Sequence, residues 1–309
     1  MIHSLMLLAT GIAMVWWRPC RSRGGKAPRL AVALLLTSLS AIWLGSLGVL
    51  VGLLSRQFLV FTPAACGVVW RQLVAGQVSP WQLALVAVWL AAIPGRATWA
   101  LVADLRRNRR LLQGLVAAGR ILDHPDNTRH GHILAVPGLS TPALTLGLLR
   151  PIVVVDEGFW THATPVQRDI VLAHERGHIC GRHALIDAAG RFLAAGIAPL
   201  PKVSQADACL RRHLEALADD FAARRHDRKT VGIALGRIAL AAYPAVGLGV
   251  AGASLWRVER LVTNSPLRRR DHVLLWAMLS SVAIGLAMSV AEAAHALGPV
   301  IDPAYCPFW

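Results

Sequence analysis

The chain has 309 residues, of which 55% are hydrophobic and only 16% charged, and it carries a formal net charge of +15. Soluble domains are nearer a quarter charged, so this balance, with a mean hydropathy of +0.50, points to an integral membrane protein. The basic residues cluster beside apolar runs and form no patch interleaved with aromatics, which argues against direct nucleic-acid binding.

In chain order, four stretches approach the ~20 mostly apolar residues that cross a bilayer: 2–17, which is short, 30–54, 81–103 and 272–297. The third is interrupted by "PGR", so Arg96 has to snorkel, face other helices or line a polar cavity. The first is led by "MIHS", without lysine or arginine, and is followed by the basic "RPCRSRGGK". That order is the reverse of a secretory signal and reads as an uncleaved anchor with its N-terminus outside. Positive charge sets the remaining topology. "RRNRR" follows the third span and "LRRRD" precedes the fourth, whereas 55–80 holds only Arg56 and Arg71 and the tail holds neither lysine nor arginine.

The expected arrangement is a multi-pass cell-membrane protein. Three spans lie within 1–104, a cytoplasmic domain over 105–271, a fourth span over 272–297, and a short extracytoplasmic tail over 298–309. Cys66 and Cys306 would then share the outer face, where they could pair, while Cys180 and Cys209 should stay reduced. Two further apolar stretches, 184–200 and 231–253, are interrupted by Asp187 and Arg191 and by Arg237 and Pro244. They read as core helices of the cytoplasmic domain, able to rest on the membrane.

"VLAHERGHICGRH", residues 171–183, carries the chemistry. Residues four apart share a helix face, so His174 and His178 can aim at one ion, and Glu175 beside them can reach a water on it. This is the H-E-x-x-H arrangement of zinc peptidases, with Glu175 as general base. The bland alternative is a solvated helix with charges at these spacings. His183, about 180° around a continuous helix from His174, is expected to face away. In "HLEALADDFAARR", Glu215 and Asp219 are again four apart. Glu215 suits a third zinc ligand, and Asp219 suits a partner for the distal nitrogen of a ligating histidine. Asp220, about 100° away, is the weaker candidate. One zinc ion per chain is expected, and a shared metal requires 184–200 to stay on the cytoplasmic side.

These motifs in this order, with "LGLLRPIVVVDEGFW", "QRDIVLAHERGHICGRH" and "EALADD" after a basic linker, resemble the BlaR/MecR-type membrane metallopeptidases. The similarity is to short members without the extracellular penicillin-binding domain. With twelve residues after Leu297, direct acylation by a β-lactam is not expected. The resemblance implies a mainly α fold: a multi-span helical membrane part and a cytoplasmic gluzincin-like peptidase domain with a small β-sheet, expected around 131–156. It implies His174, His178 and Glu215 as zinc ligands, Glu175 as catalytic base and Asp219 as support.

In gluzincin-like peptidases a strand beside the active-site helix pairs with the extended substrate. Ile152, Val153, Val154 and Val155 are candidates for that strand, and equally for a buried structural one. The implied partners are a protein or peptide substrate, with a BlaI/MecI-like winged-helix repressor as the family's usual target, and the lipid bilayer. Two alternatives stand beside this reading, an HtpX-like quality-control peptidase and a non-proteolytic membrane scaffold. No residue stands out as the oxyanion stabiliser among His213, Arg224 and His226.

Overall fold

The computed structural model describes residues 2–16, 27–57, 80–122, 133–242 and 248–263, with short pieces between 269 and 291. Cys66, Cys306 and residues 58–79 and 292–309 lie outside the described residues, and the expected fourth span is described only in part. The fold is mainly helical with one small mixed sheet of four strands.

Helices α1 (Ile2–Trp16) and α2 (Pro28–Gln57) form an antiparallel pair. Gly11 sits where a Cβ would lie 2.9 Å from the Ser38 carbonyl oxygen, and Gly45 makes the same close approach to Leu8. Helix α3 (Pro80–Ala118) runs for 39 residues, with Pro94 inside it. Arg96 is exposed on α3, beside a groove shared with Ala195. Among the described residues, one helix is long and apolar enough to cross a membrane, over Pro28–Ser46, and half of that window is buried inside the protein. The first expected span forms a 15-residue helix.

Strands β1 (Arg120–Ile121), β2 (Ile133–Val136), β3 (Ala143–Leu146) and β4 (Ile152–Asp156) pair in the order β1-β2-β4-β3. β2 and β4 run parallel, and the other pairs are antiparallel. Alternation along β4 sends Val153 and Val155 to a cluster with Leu172, and Val154 to one with Leu115 of α3. The short helix α4 (Glu157–His162) follows, capped by the Asp156 carboxylate.

Helix α5 (Pro165–Cys180) begins with a reciprocal cap. Thr164 Oγ1 accepts from the Gln167 amide, and the Gln167 side chain accepts from the Thr164 amide. Pro165 occupies the first helical position, where no N–H is needed. The helix ends at Gly181, and Arg182 turns the chain with a left-handed φ of 50°. Helices α6 (His183–Gly196) and α7 (Val203–Ala222) then form a hairpin. Helices α8 (Arg228–Ala242) and α9 (Leu248–Thr263) pack on each other and on α7. The stretch 231–253 is thus divided between two helices. Cys180 is a free, exposed thiol. Cys209, expected to be reduced, is disulfide-bonded, at a position 2% exposed where a soluble reductant has little access.

Candidate metal centre

Helices α5 and α7 cross closely because small residues meet there. A Cβ on Gly177 would lie 2.9 Å from the Ala218 Cα. The crossing brings His174, His178 and Glu215 together. Nε2 of His174 lies 3.2 Å from Nε2 of His178, and each faces a Glu215 oxygen, at 3.4 and 3.5 Å. A tetrahedral ion with ligands at ~2.0–2.1 Å separates its ligand atoms by about 3.3 Å. The three side chains could therefore hold one metal ion between them.

Both imidazoles present Nε2 to this point because their Nδ1 atoms are held from behind. Asp219 Oδ1 lies 3.0 Å from Nδ1 of His174. On His178 the same place is taken by His183, whose Nδ1 lies 3.0 Å from Nδ1 of His178. His183 was expected to face away, and this is a correction. The helix does not continue to residue 183; it stops at Gly181, and the left-handed Arg182 turns the next helix back toward the site.

A further residue was not anticipated. Arg257 of α9 bonds Asp219 through Nη2 and Nε, at 2.7 and 2.9 Å, and reaches Glu215 at 3.1 Å. It ties Glu215 and Asp219 to one planar group. The sign in the sequence was Arg257 and Arg260, three apart on one helix face, matching the adjacent Asp219 and Asp220. Asp220 itself turns to Arg260 and Arg228, away from the His174–His178–Glu215 cluster.

Glu175 is buried, and its Oε2 accepts from Thr145 Oγ1 at 2.6 Å. Burial raises its carboxyl pKa, although the nearby His174 charge and the Thr145 hydrogen bond oppose the rise. Burial disfavours charge on His174, yet Asp219 and Glu215 outweigh it and push its pKa up to about 10. Burial and then the His174 charge push His178 down to about 4. Burial, followed by His178, does the same to His183. For Glu215, burial is overcome by the hydrogen bond from His174 and the surrounding cations, which hold its pKa down at about 2.

A cleft of about 1110 Å³ opens over these groups, bordered by β3, α5, α6 and Arg257. Ile152, Val153, Val154 and Val155 do not border it as a free strand. They form β4, paired on both sides by β2 and β3, so their main chain is already used. Among the described residues β1 and β3 are the edge strands of the sheet, and β3 is the one that lines the cleft, with Thr145 beside Glu175. Of the three oxyanion candidates none lines the cleft: His213 is buried against Trp256, Arg224 lies over Phe221, and His226 is elsewhere.

The chain matches no family model, and no curated protein is significantly similar to it.

Proposed function

We propose that this chain is an integral membrane zinc endopeptidase that cleaves a cytoplasmic regulatory protein of the repressor type. The observation that carries the reading is the tetrahedral spacing of two histidines and a glutamate, with Glu175 and an edge strand beside them. Hard and borderline N/O donors in this spacing suit zinc. The membrane setting is supported by the apolar helix Pro28–Ser46 and by Trp81, Leu85, Val88 and Trp99, exposed along α3. Apolar surface of this extent on a helix needs a covering medium. The multi-pass arrangement with a cytoplasmic site follows from the distribution of arginine and lysine.

Zinc held here supplies a Lewis acid and a water of lowered pKa. The chain supplies the rest. The β3 edge pairs with an extended peptide, which gives affinity through main-chain hydrogen bonds with little side-chain selectivity. Thr145 fixes the Glu175 carboxylate, which takes a proton from the attacking water and returns it to the leaving amine. Asp219 and His183 fix the orientation of His174 and His178. Arg257 adds positive charge at the cleft where charge develops on the scissile carbonyl.

The deciding experiment uses detergent-purified chain and an unstructured peptide library. The native chain should hold near one zinc and cleave. Glu175→Gln should keep the zinc and lose cleavage by about 10²-fold or more, and Glu215→Ala should lose both. Undiminished cleavage by Glu175→Gln would refute the mechanism. No zinc in the native chain would refute the peptidase reading.

A further inference from the structure

The hairpin α6–α7, which carries Glu215, does not stand apart from the strongest candidate span. Val32, Leu35, Leu39 and Ile42 of α2 share one apolar cluster with Ala194, Ile197 and Leu210 of the hairpin. Two glycines permit the approach. A Cβ on Gly196 would lie 2.2 Å from the Trp43 ring, and one on Gly190 would lie 2.1 Å from Leu210 with Leu36 just beyond. Small residues at helix contacts are what allow close packing within a bilayer. Trp43 lies about 20 Å along α2 from Leu30, past the middle of a ~30 Å hydrocarbon core. The hairpin reaches that depth.

The N–H groups of its tip are satisfied internally, as lipid requires of a backbone donor. The Ile197 and Ala198 amides donate to the Ala195 carbonyl, and the Leu200 amide donates to the Ile197 carbonyl. Pro199 and Pro201 have no N–H to satisfy. From Ile197 to Pro201 every N–H that exists is therefore bonded within the tip. The Leu193 carbonyl, which the amide of Ile197 bypasses, accepts from Trp43 Nε1 at 2.8 Å. The side chains follow the same division. Ala198, Pro199, Leu200 and Pro201 are exposed and uncharged. Most charges of the hairpin turn toward the cleft, where Arg191 pairs with Asp104 of α3 and with Asp187, and Arg211 pairs with Asp207. Ionisable groups at membrane depth pair in this manner or line aqueous cavities. Lys202, next to the tip, lays its ammonium over the Trp16 ring at the end of α1, 3.9 Å from the centroid. That reach lets its apolar stem lie in lipid while the charge sits nearer the boundary.

We infer that α6–α7 is a re-entrant hairpin whose tip, residues 197–201, sits in the hydrocarbon core, so that the metal centre lies at the cytoplasmic boundary of the membrane. This rests on the membrane part of the reading above, and it goes further than the expectation that 184–200 is a core helix of the cytoplasmic domain able to rest on the membrane. Leu214, adjacent to the ligand Glu215, still belongs to the cluster shared with α2. The substrate class follows: a polypeptide presented at the bilayer surface.

The test uses the full chain carrying Ala198→Cys in inside-out membrane vesicles, a membrane-impermeant maleimide, and mass spectrometry of the separate cysteine peptides. Cys180, exposed at the end of α5, is the internal reference. Position 198 is exposed among the described residues, so immersion in lipid would shield it where the protein surface does not. The expected result is labelled Cys180, unlabelled position 198, and labelling of 198 once detergent is added. Labelling of both in vesicles, on a chain that resists carbonate extraction, overturns the re-entrant hairpin and leaves the membrane peptidase intact. Release of the chain by carbonate removes the membrane reading and the hairpin with it, while cleavage of the peptide library still reports on the metal site separately.

Discussion

The two halves of α7 are held by opposite means. Its first half places Val203, Ala206 and Leu210 in an apolar cluster against α2 and α6. Its second half places Glu215, Asp219 and Asp220 in a lattice of charges with His174, Arg257 and Arg260. Apolar contact is non-directional and roughly proportional to area, so the first half contributes stability and tolerates small shifts. Charge-assisted hydrogen bonds are directional and costly to leave half-made, so the second half fixes geometry. One helix thus anchors the site at one end and aims it at the other.

The largest effect should come from breaking the polar half. Asp219 is fully buried and satisfies both Arg257 and His174. Asp219→Ala leaves a largely enclosed guanidinium with Glu215 alone in place of two carboxylates, at a cost of about 3–5 kcal/mol, and should also lower zinc occupancy. Denaturant unfolding and zinc content per chain read the two losses together. Breaking the apolar half should separate them. Leu210→Ala, at a fully buried position opposite Gly190, should cost about 2–5 kcal/mol through the cavity it opens. Zinc per folded chain should stay near the native value. If Leu210→Ala sheds zinc as readily as Asp219→Ala, the two halves are not independent and the contrast fails.

A smaller effect sharpens the polar side. His183→Ala removes the group behind His178 Nδ1 and should weaken zinc binding about 10–100-fold, about 1.4–2.7 kcal/mol. Competition with a chromophoric chelator measures it. An unchanged affinity would make the 3.0 Å contact incidental to the metal.

The same contrast explains what could be read in the sequence. His174, His178 and Glu175 were legible because helical periodicity alone puts them on one face. Glu215 and Asp219 were legible for the same reason, one helix later. His183 was misread because a nine-residue spacing gives a direction only on an unbroken helix, and Gly181 with the left-handed Arg182 breaks it. The glycine in "CGRH" was the available warning, since glycine is common at helix ends. For 152–155 the sequence left a substrate strand and a buried structural strand equally open, because strand order in a sheet is not written in local pattern; the fold shows the buried one. The continuous apolar run at 152–155 was itself the mark of a strand buried on both faces, whereas Thr145 interrupts "ALTL" at the edge. Arg257 lies 42 residues after Glu215 in an apolar helix, and only the fold brings it back. Apolarity marked the helices around the site but not their surroundings, because burial in protein and immersion in lipid demand the same side chains.

The smallest effect tests whether the site depends on α5 as a whole or only on its crossing with α7. Thr164→Ala removes the reciprocal cap at the start of α5, leaving the Gln167 amide without its side-chain acceptor. The expected cost is about 1 kcal/mol. His174 lies ten residues on, about 15 Å along the helix, and its position is set by Asp219 and by the close contact of Gly177 with Ala218. Fraying of the first turn therefore should not reach the metal. The variant should lose stability in a denaturant titration while zinc affinity and peptide cleavage stay at native values. A parallel loss of affinity would show that the helix N-terminus, and not the α5–α7 crossing, holds His174 in place.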